Sequence, residues 1–172
     1  NWSCIVKAPV SAAIFINNNH LQNITDNQIS ISYGIFYNSE LVSVICFRRK
    51  NDKYILTRFC NLINLIVIGS FTKMMKYFIL ENNNYNEIIT YSDNRYSSGS
   101  LYYNNNFIKT RENDISYYYT KDFKVLNHRS NFNMRRMSKD KNFIYDENLT
   151  DHENIILNGY TRVYGCKIDT WK

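Results

Sequence analysis

The sequence predicts an α/β (α+β) fold, a mixed and mostly antiparallel twisted sheet flanked by helices, in a single domain over residues 1–172. Three observations carry that prediction. A length of 172 residues suits one domain of roughly 100–200 residues. Apolar residues recur at period two in some short runs and at helical spacing in others. Residues 67–107 run strand, glycine turn, helix, strand ending in an acid, short helix, strand. That is the order of a βαβαβ unit with a polar site at the strand ends.

Each element has a local reason. Residues 4–16 lack the basic stretch that opens a signal peptide and read as helix. The amphipathic stretch is 8–18, opening near Pro9, where a missing N–H costs nothing. His20-Leu21-Gln22-Asn23 is a polar turn. Runs 29–37 and 40–47 flank Asn38-Ser39, a two-residue break that predicts a hairpin. A third strand covers 54–60 with Arg58 inside it. Met74, Met75, Phe78 and Ile79 share one face of a helix over 71–80. A strand follows at 87–93, a short helix at 98–104 and a Tyr-rich strand at 115–120. The segment 121–141 reads as loop plus helix. Thr150 and Glu153 form a capping box that starts a helix to Leu157, Gly159 ends it, and 160–168 alternates as a last strand.

Composition bounds the function. Aromatic residues are 16% of the chain, with 15 Tyr and 10 Phe, so the core is largely aromatic. The four cysteines (4, 46, 60, 166) are scattered without C-x-x-C spacing, which excludes a zinc site and predicts a reducing, intracellular setting in the host-cell cytoplasm. Nothing approaches the ~20 apolar residues of a bilayer span, so no membrane partner is expected. The net charge is +6, and nine Lys/Arg stand against four acids between Lys109 and Lys141. Such a segment attracts polyanions, DNA above all. Its candidate phosphate contacts are Lys121, Lys124, Arg129, Arg135, Arg136 and Lys139, in a basic, Tyr-rich extension (109–172) of the same domain.

Gly69 sits where a helix begins, and free N–H groups there suit a pyrophosphate; Ser70, Thr72 and Lys73 would add hydroxyls and a charge. Asp93 at a strand end, with Arg95 and Tyr102 close by, suits a polar site. Arg58 in an apolar strand needs a partner, and Asp93 is the candidate. His20 is either a site residue or a satisfied turn histidine. There is no H-N-H zinc arrangement, no GIY-YIG pair and no spaced Asp…Glu-x-Lys run. If a parent protein cuts DNA, its nuclease domain lies outside these residues.

An ordered series of motifs resembles the GNAT-like domain found behind phage-type homing endonucleases and in Mom-type DNA-modification proteins. It comprises His20-Leu21-Gln22-Asn23, Leu41-Val42-Ser43, Ile55-Leu56-Thr57-Arg58-Phe59, Gly69-Ser70-Phe71-Thr72-Lys73-Met74, the run Thr90 to Tyr102, and Gly159-Tyr160-Thr161-Arg162-Val163-Tyr164-Gly165-Cys166. The resemblance implies a group-transfer enzyme acting on DNA in a phage or other mobile element. Arg58, Asp93, Tyr102 and His20 would then be its site residues, Tyr102 serving as proton donor. It equally implies a non-catalytic DNA-targeting module, or an acyl-coenzyme-A-dependent N-acetyltransferase on a small molecule or protein. Acyl-coenzyme A is the cofactor it suggests, at Gly69 to Lys73. Phe71 stands where the family carries a small residue and would crowd a pyrophosphate.

Overall fold

The computed structural model describes residues 2–7, as backbone, and 12–172. Contacts group the chain into two compact units. The first holds 1–92, 97–111 and 169–172; the second holds 93–96 and 112–168.

The first unit is built on a sheet. Strand β1 (Trp2–Lys7) pairs antiparallel with β2 (Ile31–Tyr37), β2 with β3 (Glu40–Lys50), and β3 with β4 (Lys53–Asn61). Strand β5 (Glu87–Asp93) lies parallel to β4, and the order continues through β10 (Ile168–Trp171) to β6 (Lys109–Asn113). The β2–β3 turn is the predicted Asn38-Ser39, both at positive φ (47° and 67°), as a primed two-residue hairpin requires.

Alternation along β3 decides what packs where. Val44 and Cys46 face α1 (Ala12–Asn19), packing with Ala12, Phe15 and Ile16. Ile45 and Phe47 face the opposite way, against α2 (Ser70–Glu81), where Met74, Met75 and Phe78 are buried. Side chains of successive strand residues point to opposite faces, so one strand serves two layers. The second core is aromatic: Phe78 stacks on Phe47 with centroids 3.9 Å apart and meets Tyr54 edge-on at 5.0 Å.

The second unit centres on β7 (Tyr117–Thr120), flanked by β8 (Asn127–His128) and β9 (Thr161–Tyr164). Tyr119, Met137 and Ile155 form its core, the last two from α4 (Met134–Met137) and α5 (Asp151–Leu157). The capping box at Thr150 and Glu153 is present as predicted.

Three expectations need correction. Of the helix predicted over 4–16, the described residues from Ala12 on are helical, but 2–7 is a strand, because the outer edge of β2 offers it a partner and Ile5-Val6 is β-branched. The predicted start at Pro9 lies outside the described residues. Val67-Ile68 is not a strand: β4 ends at Asn61, and a loop carries the chain to Gly69. The last strand, predicted over 160–168, is two strands in different sheets, β9 and β10, parted at Gly165, whose N–H donates to Ser116 O at 2.8 Å.

A short helix, α3 (Ser100–Tyr103), begins after Gly99, which has φ +75°. A Cβ there would fall 2.1 Å from Trp171 Cζ2. Gly69 has nearly the same φ, +73°, with open space around it. Gly69→Ala should therefore cost only the left-handed strain of about 1–2 kcal/mol. Gly99→Ala should cost clearly more, because Trp171 must move as well. Urea melts of the two variants check this; equal midpoints would refute the close approach.

Candidate active site

Strand β4 is held along its length by β3, but its register with β5 covers only Lys53↔Glu87, Tyr54↔Ile88 and Ile55↔Ile89. Two features part the strands beyond that point. The β3–β4 register shifts between Cys46 and Phe47, leaving Thr57 as the extra residue of a bulge, its hydroxyl on Cys46 O at 3.1 Å. On the β5 side, the Thr90 hydroxyl donates to Leu56 O at 3.2 Å, a side-chain bond in place of the next ladder bond. The β5-facing edge of β4 is left open past Leu56.

Tyr102 enters this opening from α3. Its ring is fixed among Phe107, Phe71 and Trp171 at centroid distances of 5.8, 6.1 and 6.1 Å. Its hydroxyl bonds Thr90 and lies within electrostatic reach of Arg58. Burial pushes the phenol above its ordinary pKa of 10.0, so it stays protonated at neutral pH.

Arg58 does not find the carboxylate that its place in an apolar strand predicted. Its Nε donates to Gln22 O at 3.2 Å, and its terminal nitrogens donate to Asn23 O at 3.2 Å and Thr57 O at 2.6 Å. Three carbonyls satisfy the fork without neutralising it. Asp93, the predicted partner, belongs to the second unit, and its carboxylate is taken by the Arg95 guanidinium and backbone N–H. A partner two residues away in a turn closes the smallest loop, so it wins. Arg95 holds the Asp93 carboxyl below the usual range, which makes it a poor base.

His20 follows α1 and is half-buried. Its Nδ1 sits against the Gln22 backbone, 2.9 Å from the N–H and 3.1 Å from the carbonyl, and the tautomer decides which bond forms. Burial lowers its pKa below 6.5, and the nearby Arg58 charge lowers it further. The imidazole is neutral at pH 7. The structure thus brings His20, Arg58 and Tyr102 of the predicted residues into electrostatic reach of one another through Arg58, and adds Thr90, which opens the motif run 90–102 but is not among the predicted site residues. Cys46 and Cys60 are pushed up to about 12 and about 11 by burial, which makes them inert thiols.

At the far end of β4, the Asn61 side-chain oxygen accepts from Ser43 and Ser70 hydroxyls at 2.7 and 3.2 Å, tying the strand to the start of α2. The amides of Phe71 and Thr72 have no intrahelical acceptor, and no acid stands in that first turn. Phe71, predicted to crowd the spot, turns inward: it is 3% exposed and meets Phe59 edge-on at 5.1 Å. The hydroxyls of Ser70 and Thr72 donate to Asn61 and Asn105. Lys73 is exposed on the same turn. Backbone amides and the open space over Gly69 therefore fit a pyrophosphate better than the hydroxyls do.

Arg58→Gln should raise the His20 pKa toward 6.5, read from the imidazole proton shifts by NMR; an unchanged value would refute the proximity of the two charges. The wild-type sign follows from linkage. With the folded pKa depressed, the neutral ring contributes stability that is full above about pH 6.5 and lost as pH falls through the folded value.

No family model and no curated protein matches the chain. Solved structures do. The ribosomal-protein-S18-alanine N-acetyltransferase of Escherichia coli is 14% identical with a TM-score of 0.55, over 69% of this chain and 85% of that one. An IAA acetyltransferase of Bacillus cereus is 8% identical with a TM-score of 0.54, over 98% and 96%. Identities this low speak to the fold alone: these neighbours and the strand order give the chain a GNAT-like α/β fold, a mixed, mostly antiparallel sheet flanked by helices.

Proposed function

We propose that this chain is an acyl-coenzyme-A-dependent N-acyltransferase whose site lies where β4 and β5 part. One observation carries the reading. The open β4 edge and the helix start at Gly69 belong to one strand–loop–helix arrangement, and the Tyr102 hydroxyl reaches the same strand pair from α3, bonded to Thr90 of β5 and within electrostatic reach of Arg58 of β4. An acyl-coenzyme A would be held by the backbone of Gly69, Phe71 and Thr72 and by the β4 edge, and it supplies a thioester carbonyl open to attack by an amine.

The chain's own groups suit that attack. A neutral His20, with Nδ1–H turned to the Gln22 carbonyl, presents a lone pair at Nε2 to take the amine's proton. Tyr102 holds a proton at its hydroxyl for a departing sulfur. Arg58 keeps the 22–23 turn in place, and with it His20, while its charge favours negative charge developing nearby. Asp93 has no part in this chemistry, since its carboxylate is engaged by Arg95.

A DNA-directed form of the reaction, with the amine on a base, requires a cationic surface in addition. The second unit has one in residues 121–141.

Calorimetry with acetyl-coenzyme A tests the core of the reading. Saturable binding is expected, weakened at least tenfold by Gly69→Asp, whose carboxylate would oppose a pyrophosphate at the helix start. Absence of binding by the native chain would sink the proposal. With an amine acceptor in hand, Tyr102→Phe should lower kcat by ~100-fold or more with KM little changed, as loss of a general acid does.

A further inference from the structure

We propose that the second unit carries a nucleic-acid phosphate-binding site, formed where Asn133, Arg135, Arg136 and Lys139 line a cavity of about 590 Å3 with Asp140. The inference rests on this unit alone and holds whether or not the first unit transfers an acyl group.

The local fold explains why these cations converge. Asn133 caps α4: its side-chain oxygen accepts from Arg136 N–H at 3.1 Å and its carbonyl from Met137 N–H at 3.0 Å. Met137 is 2% exposed, locked in the core with Tyr119 and Ile155. In so short a helix one anchored residue orients the others, so Arg135, Arg136 and Lys139 stand in solvent around the cavity.

Their charge is uncompensated. Among the described residues none of the three is in an ion pair, whereas Lys53, Arg95, Lys109, Lys167 and Lys172 all are. Asp140, the one acid of the lining, accepts from Asn142 N–H at 2.9 Å, which leaves the cavity three cations to one acid. Two acids elsewhere in the unit have local duties. Asp146 holds Asn148, and Glu153 closes the capping box on Thr150.

The ligand's chemistry follows from size, charge and surroundings. Guanidinium forks match phosphate oxygens in pairs. The hollow is open to solvent rather than closed over, so a sugar–phosphate stretch can lie along it as well as a single phosphate. The flanking segment is cationic throughout, with seven Lys/Arg against two acids over 121–141. The unit also exposes the rings of Phe123 (69%) and Tyr164 (66%), faces on which bases stack. An acidic peptide would use the charge but not the rings.

The structure also separates this site from the rest of the basic segment. Lys121 lies over the Tyr160 ring at 4.6 Å and Arg129 over the Tyr117 ring at 5.2 Å, each already stacked within the unit. Neither lines the cavity, and neither does Lys124.

Fluorescence anisotropy with a labelled oligonucleotide, single-stranded and duplex, over a salt series provides the test. The full chain should bind at least one form. Changing Arg135, Arg136 and Lys139 together to Gln should weaken binding tenfold or more and flatten the salt slope by about two units, near 0.7–0.9 per phosphate lost. Changing Lys121 and Arg129 to Gln should cost less than threefold. Far-ultraviolet circular dichroism confirms that both variants fold, as exposed side chains allow. Equal losses in the two variants would mean a diffuse field and overturn the site. No binding by the native chain, or equal retention on poly-glutamate or phosphatidylserine vesicles, would overturn the nucleic-acid assignment.

Discussion

The first unit depends on the incomplete pairing of β4. Full pairing on β3 fixes where the strand lies, while pairing on β5 stops at Ile55 and Ile89. A strand edge left open carries unmet N–H and C=O groups, which costs free energy unless water or a ligand meets them. The Thr57 bulge and the Thr90 hydroxyl stabilise the parting from both sides, so the opening is built in. What stands around it follows: the loop to Gly69 leaves from the end of β4, and Tyr102 comes in over Thr90.

Aromatic packing makes that opening rigid. Tyr102 touches three rings of the core and puts only its hydroxyl at the site. Phe71 serves the same core from the first turn of α2, which is why a bulky residue can follow Gly69 without covering the helix start. Edge-on ring contacts contribute ~0.5–1.5 kcal/mol each beyond the area they bury. A chain in which 16% of the residues are aromatic therefore obtains both stability and fixed orientation from the same side chains.

How much of this the sequence shows depends on how local the cause is. Asn38-Ser39, the Thr150–Glu153 box and the glycine before α2 act within four residues, and each was legible. The strand at 2–7 was not, because its partner lies some thirty residues on at β2, and a helix pattern competes over the same stretch. The break at Gly165 depends on Ser116, and the carbonyls that receive Arg58 lie about 35 residues before it. Charge alone pairs Arg58 with Asp93, but Arg95, two residues from the acid in a turn, loses almost no entropy in reaching it, and the Arg58 guanidinium is satisfied by carbonyl oxygens instead. His20 and Tyr102 are legible as polar groups in a motif series; Thr90 stands in the same series, but as an ordinary residue for a strand it gives no sign of a role.

The choice of carbonyls over a carboxylate also decides the chemistry open to the site. A carboxylate on Arg58 would cancel its charge and raise the His20 pKa, favouring an imidazolium that cannot take a proton. Carbonyls leave the guanidinium cationic, which adds to burial in keeping His20 neutral and favours any anion forming beside Tyr102. A neutral imidazole, a protonated phenol and an uncancelled positive charge are what the proposed acyl transfer would need at pH 7: one group to accept a proton, one to donate, and one to favour negative charge. Removing the Arg58–carbonyl bonds would disturb all three at once, because the same bonds hold the turn that carries His20.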